Sequence, residues 1–221
     1  REMGLASVAL LNARQSTRLT PPVRDMFRRI GREEGGVRGL VLRNFRLFRP
    51  FLGGYLRRDP LLNALLSNTV TLTSFGGSDG SYNQIAHTTW ATFDSRLLPG
   101  TDGDDFLRRM EREIRDYDVQ LRVISKPPRA PVSEKGPYYH ALQDAIRAVF
   151  GDVVVSPILF PAHNDNVYFR KNGIPAYGLL PVILTVELIE SIHHVDERMP
   201  VESLPYGIRV YETLIRKLAM P

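Results

Sequence analysis

The sequence contains no cysteine. Disulfides, thiolate nucleophiles and cysteine-ligated zinc are therefore excluded, and any metal site must use histidine and carboxylates. No apolar run approaches the ~20 residues of a bilayer span, so no membrane span is expected. HExxH, the P-loop and the Rossmann glycine fingerprint are missing, which removes common signatures of metallopeptidases and nucleotide-binding folds. Gly76-Gly77-Ser78-Asp79-Gly80 fits GxSxG by letter but reads as a turn. Lysine is missing from the first 70 residues, which hold 13 arginines and five acids for a net +8. The remaining residues hold 16 basic and 19 acidic groups, a net of −3.

What is present is ordinary for a globular protein. The 221 residues are 43% hydrophobic and 24% charged, enough for one large domain or two small ones. A basic half can mean a nucleic acid or a membrane surface. Here the arginines are interleaved with apolar residues and carry no binding motif, so a solvated helical face is the simpler reading and nucleic acid is not an expected partner.

Periodicity changes along the chain. Residues 5–13, LASVALLNA, suit either a buried strand or a short helix. Pro21-Pro22 opens a segment in which Val23, Met26, Phe27 and Ile30 fall at i, i+3, i+4, i+7, an amphipathic helix ended by Gly35-Gly36. Residues 37–62 read as a helical excursion. From Asn68, alternation of Thr69, Thr71 and Thr73 with Val70 and Leu72 predicts a strand, and residues 84–96 predict its hairpin partner. Thr101 with Asp104 resembles a capping box for a helix carrying Phe106, Met110 and Ile114. Val119–Ile124 reads as a further strand. This order gives an α+β domain: an antiparallel sheet with helices on one face. The proline-rich segment 126–133 marks a boundary. Beyond it, a helix over 135–150, strands at Val153–Val155 and Ile174–Leu180, and a last helix with Ser203 as N-cap alternate as in part of an α/β sheet. That last helix sets Leu204, Ile208, Tyr211, Ile215 and Leu218 on one stripe.

Histidine is scarce, with five in the chain. His87 and His140 read as surface or structural residues. His163 lies in a polar loop after an apolar strand, where ligands of α/β sheets collect. His193-His194 sits between an apolar stretch and the last helix; adjacent histidines do not both face one metal, so at most one is a ligand. Asp94 and Arg96 share a strand face, either as a surface ion pair worth under ~1 kcal/mol or with Arg96 as a fork for a substrate carboxylate. Glu33-Glu34 reads as a solvated helix end rather than a general-base pair.

Three stretches in fixed order carry a family resemblance. They are Asn68-Thr-Val-Thr with Gly76-Gly77 and Asn83; Phe93-Asp94-Ser95-Arg96-Leu97-Leu98-Pro99-Gly100; and Phe169 to Gly178 leading to His193-His194-Val195-Asp196-Glu197-Arg198. Together they resemble the zinc amidohydrolases and exopeptidases that include carboxypeptidase S, glutamate carboxypeptidase, aminoacylase and succinyl-diaminopimelate desuccinylase. The resemblance implies an α+β lid, or dimerisation, domain over residues 1–125, with an antiparallel four-stranded sheet opened by a strand at Glu2-Met3-Gly4-Leu5. It implies that residues 126–221 are the C-terminal portion of a zinc-binding α/β catalytic domain.

The resemblance also assigns residues. His193 matches the family's closing zinc ligand, with His194 where the family has Gly. The remaining ligands and the Glu-Glu pair precede the lid in the family and are not in this sequence, so the chain alone is expected to be inert: zinc catalysis takes about three protein ligands and a base. Asn83, Arg96 and Asp165 match positions that hold substrate or line the cleft. The implied cofactor is zinc, the implied substrate an N-acyl amino acid or peptide, and the implied partner a second copy joined through the lid. Ser16-Thr17-Arg18 stands where the family has Gly-Gly-His-Ser, so the lid histidine that assists oxyanion stabilisation is replaced. Ala86 and Val167 are further departures. A degenerate, non-catalytic dimerisation or binding module is the alternative reading.

Overall fold

The computed structural model describes residues 1–77, 83, 85–126, 131–160 and 164–219, without the side chains of 53–57. The chain forms two compact units, Arg1–Pro127 with Ser156–His163, and Pro128–Val155 with Asn164–Pro221.

The first unit opens with helix α1 (Glu2–Asn12), where the resemblance implied a strand. Ala and Leu dominate this segment and Val8 is its one β-branched residue, a composition that favours a helix once burial is satisfied. Ala6 and Leu10, one turn apart, are buried with Ala13 against Phe106, Met110 and Ile114 of α6 (Gly103–Ile114). The expected stripe of α6 is thus its core face. Its cap lies one residue later than expected. Asp102 accepts from the backbone N–H groups of Asp104 and Asp105 at 2.8 and 3.0 Å. Those two acids also sit favourably at the positive end of the helix.

Between these helices lie α2 (Pro21–Glu34), α3 (Gly36–Arg43), α4 (Phe45–Arg58) and α5 (Pro60–Leu66). Val23, Met26 and Phe27 of α2 pack with Phe45, Leu65 and Leu66 into a second core. A fully buried Val23 or Leu66 contributes about 1.5–3 kcal/mol relative to exposure. Helices α2 and α3 fold back at Gly35 and Gly36, whose φ values of 64° and 51° suit residues without a Cβ. They then touch at Gly31 and Gly39: a Cβ on Gly39 would lie 2.5 Å from the Gly31 carbonyl oxygen.

The hairpin is present as β1 (Thr69–Gly77) and β2 (Thr89–Arg96), antiparallel, with a register shift between Leu72 and Ser74. Gly76 stands opposite Trp90, and a Cβ there would meet the indole at 2.7 Å. Among the described residues these two strands are the whole sheet, so the architecture is α+β, and the expected four-stranded sheet is not seen among them. Val119 and Leu121, expected in a strand, pack against the α1–α6 core without a ladder partner. Sequence alternation reports a half-buried extended segment, and it does not supply the second strand that a ladder needs.

In the second unit, α7 (Pro137–Phe150) packs against α10 (Leu204–Ala219), with Ala145 and Val210 fully buried. Gly207 lets α10 approach the Pro181 carbonyl, which a Cβ would meet at 2.8 Å. Phe150 and Tyr206 stack with centroids 5.7 Å apart, and the Lys217 ammonium pairs with Asp144 across the two helices. Short helices α8 (Asn166–Lys171) and α9 (Val186–Glu190) lie between them in sequence. Val153–Val155 and Ile174–Leu180 are not strands here. The latter is tied by side-chain contacts instead: the Ser133 hydroxyl accepts from the Ala176 N–H and donates to its carbonyl, both at 3.0 Å, the Tyr177 hydroxyl donates to the Glu134 carbonyl, and the Tyr211 hydroxyl donates to the Leu179 carbonyl at 2.8 Å. Ser203 precedes α10 as expected, but its hydroxyl turns back to the Pro200 carbonyl at 2.8 Å. The expected stripe of α10 faces outward: Ile208 and Ile215 are 66% and 61% exposed.

Candidate functional site

His193 lies in the turn that follows α9. Its backbone is left-handed, φ 67°, as is that of Asp196, φ 66°. Left-handed backbone costs a non-glycine residue roughly 1 kcal/mol or more, and such residues concentrate at functional positions. Three local bonds hold the turn. The His193 N–H donates to Glu197 Oε2 at 3.0 Å. The His194 N–H donates to the Ser191 carbonyl at 2.9 Å, and the Glu197 N–H to the His194 carbonyl at 3.3 Å. Both imidazoles are exposed. Sequence reasoning quoted Glu197 without giving it a role; an acid four residues after a histidine in a turn was the available signal.

Asp165 occupies the N-cap position of α8, yet its carboxylate makes no cap bond and is exposed. On the same helix the Arg170 Nε is buried without a partner, an orphan donor of the kind native proteins seldom leave.

The other two candidates belong to the first unit. Arg96 ends β2, opposite Thr69, and its Nε donates to Asp94 Oδ2 at 2.7 Å with both side chains about half exposed. Asn83 lies in the turn at the other end of the hairpin and is exposed. The ladder between Thr69–Arg96 and Gly77–Thr89 is about 23 Å long at ~3.3 Å per residue. Among the described residues, no hydrogen bond joins Asn83 to Arg96 within the first unit or Asp165 to His193 within the second. His87 and His140 are exposed, and Glu33-Glu34 is the solvated end of α2. His163 lies outside the described residues.

Two polar latches went unnoticed in the sequence because their partners are far apart along the chain. The buried Asn68 accepts from the Leu98 N–H at 2.9 Å and from the Thr101 hydroxyl at 3.2 Å, so Thr101 serves this latch rather than the α6 cap. Arg18 donates to Thr101 Oγ1 at 3.1 Å and to the Pro99 carbonyl. Arg18 is therefore bound to the turn after β2.

The sequence profile of the peptidase family M20/M25/M40 matches residues 2–217. The chain belongs to peptidase family M20/M25/M40. Among relatives of this family, the Xenopus tropicalis N-fatty-acyl-amino acid synthase/hydrolase PM20D1 is 30% identical over 197 residues, 88% of this chain and 38% of that protein. The Dictyostelium discoideum protein described as probable carboxypeptidase S-like 2 is 27% identical, over 89% of this chain and 39% of its own length. Mouse aminoacylase-1 is 28% identical, over 74% and 40%. The chain thus spans about two fifths of the curated relatives it matches. No solved structure matches it.

The M20 resemblance implied zinc, and the donor set tests that directly. Among the described residues no three His, Asp or Glu side chains gather into a group that could hold a metal ion. Zinc takes three or four protein ligands at about 2.0–2.2 Å. The described residues alone do not fit it; His193 supplies at most one corner.

Proposed function

We propose that this chain is the C-terminal portion of a zinc-dependent amide or peptide hydrolase of the carboxypeptidase S or aminoacylase kind. In this reading residues 1–125 are its dimerising lid and residues 126–221 close its catalytic domain. The observation that carries the reading is the His193 turn: an exposed imidazole on left-handed backbone, held by Glu197, at the family's closing-ligand position. Two features of the second unit support it. The outward apolar stripe of α10 and the unladdered segments at 153–155 and 174–180 are what the last part of a larger α/β sheet presents before its neighbours cover it.

The substrate class follows from the relatives, of which PM20D1 is named for N-fatty-acyl-amino acids. Hydrolysis adds water across the amide: a C–O bond forms at the carbonyl carbon, the C–N bond breaks, and the leaving amine takes the proton. In the intact protein His193 would be one ligand of a zinc that would supply a Lewis acid. Arg96 offers a planar fork for the substrate carboxylate, exchanging Asp94 for it. Asn83, across a ladder of about 23 Å from Arg96, would contact a more distant part of an extended acyl or peptide substrate rather than the carbonyl beside that carboxylate. With one metal ligand and no base, residues 1–221 alone are inactive.

The test is hydrolysis of N-acyl amino acids and dipeptides by the intact protein with zinc. The expected result is turnover that a chelator abolishes and zinc restores; no cleavage of either class ends the proposal. A second reading, a non-catalytic dimerisation module, is favoured by one observation. The segment that carries the family's lid histidine holds Arg18, which is spent on the Pro99–Thr101 turn. In that case the intact protein is an inactive dimer.

A further inference from the structure

Helices α2, α3 and α4 of the first unit bring four arginines to one cleft of about 150 Å³, lined by Arg24, Arg28, Arg43, Arg46 and Leu47. Arg24 and Arg28 are one turn apart on α2, so they share a face. Arg46 lies in the first turn of α4, which has no acidic residue. That placement sets a cation at the positive end of a helix, against the usual preference. The packed rings of Phe27 and Phe45, with centroids 4.6 Å apart, also line the cleft. No carboxylate engages Arg24, Arg28, Arg43 or Arg46 among the described residues; the nearby Asp25 pairs with Arg29 at 2.9 Å. Four guanidiniums without a counter-charge repel one another, and that repulsion is relieved by an anion.

The cleft continues into an apolar surface. Leu47 lines the cleft and is 71% exposed; Phe51, one turn further along the same face of α4, is 85% exposed. We propose that this face of α2–α4 docks on an anionic lipid bilayer. The arginines would contact headgroup phosphates, and Leu47 and Phe51 would enter the boundary with the acyl chains. A bilayer offers both chemistries side by side. A free phosphate leaves Leu47 and Phe51 in water. A second copy on the same face of a two-fold dimer sets arginine against arginine, because among the described residues no carboxylate engages these four.

The experiment is co-sedimentation of the intact protein with phosphatidylcholine vesicles, with and without phosphatidylglycerol. Partitioning onto the anionic vesicles only is expected. Arg24→Gln and Arg28→Gln should each weaken it about fivefold, the Arg24→Lys/Arg28→Lys pair should largely retain it, and Phe51→Ser should weaken it by a similar factor without changing its salt dependence. All three positions are exposed, and matching melting temperatures verify that the variants fold. Binding to neither vesicle, equal binding to both, or binding that the Gln and Ser variants leave intact overturns the proposal. So does thermal stabilisation by glycerol phosphate without vesicle binding, which identifies a soluble anion site. Conversion of a dimer to a monomer by Phe51→Ser with vesicle binding unchanged also overturns it, and identifies a protein interface.

Discussion

The backbone N–H of His193 donates to Glu197 Oε2 at 3.0 Å, while His193 holds a left-handed φ of 67°. The carboxylate thereby fixes the direction from which the imidazole leaves the chain. In the proposed hydrolase Glu197 is a positioning residue. Glu197→Ala in the intact protein is expected to weaken zinc binding about tenfold, the lower end of the usual loss when a supporting partner of a ligand is removed. The exposed site limits the change in stability to within about 0.5 kcal/mol. Glu197→Gln, which keeps an acceptor oxygen, should retain most of the affinity. Metal titration against a competing chelator, together with melting curves, checks both statements.

Gly39→Ala should destabilise the first unit by about 1–3 kcal/mol, the usual cost of inserting volume where backbone already touches. The added Cβ would lie 2.5 Å from the Gly31 carbonyl oxygen, an atom that moves only if α2 and α3 separate. Gly4→Ala is the control, since nothing lies within 4 Å of a Cβ there. Urea midpoints of the two variants measure the contrast.

Asn68→Ala should cost about 1–3 kcal/mol, because it strands the buried Leu98 N–H that Asn68 accepts at 2.9 Å. Asn68→Asp keeps the acceptor for both Leu98 and Thr101 and should cost less. Chemical denaturation of the two variants distinguishes loss of the acceptor from loss of the amide.

Asp144 is held below the ordinary carboxylate range, first by its hydrogen bond from Lys217 and then by that ammonium's charge. A depressed folded value means that the stabilisation is present above the unfolded value, about 3.9 for aspartate. It is lost as pH falls through the lower folded value. The pair is about half exposed, so its contribution is small. Lys217→Met should lower the melting temperature slightly near neutral pH and converge on the parent protein in strong acid. A difference that persists in acid would assign the effect to packing of the lysine stem instead.

The legible parts of this fold were those whose information is local. The 3.6-residue spacing of Phe106, Met110 and Ile114 and of Val23, Met26 and Phe27 identified two core faces, because a helix makes its own hydrogen bonds. The hairpin was legible because both strands and their turn lie within one stretch. Pairing over longer distances was not: Val119–Ile124, Val153–Val155 and Ile174–Leu180 have strand-like composition but no ladder in the described structure. Asn68 bonds 30 residues away and Arg18 bonds 81 residues away, and no spacing rule reaches that far. The Ala- and Leu-rich first segment shows the opposite failure, since local helix propensity prevailed over the strand that family likeness implied. At the candidate site, the motif led to His193 and Asp165, but the left-handed turn and the role of Glu197 are properties of the folded backbone.

The most direct test of the account is the zinc affinity of the intact protein with His193→Ala set beside His194→Ala. The account predicts a loss of at least about a hundredfold for His193→Ala, the removal of one of about three protein ligands, and little change for His194→Ala. Equal affinities for the parent protein and His193→Ala, or a loss confined to His194→Ala, would contradict it.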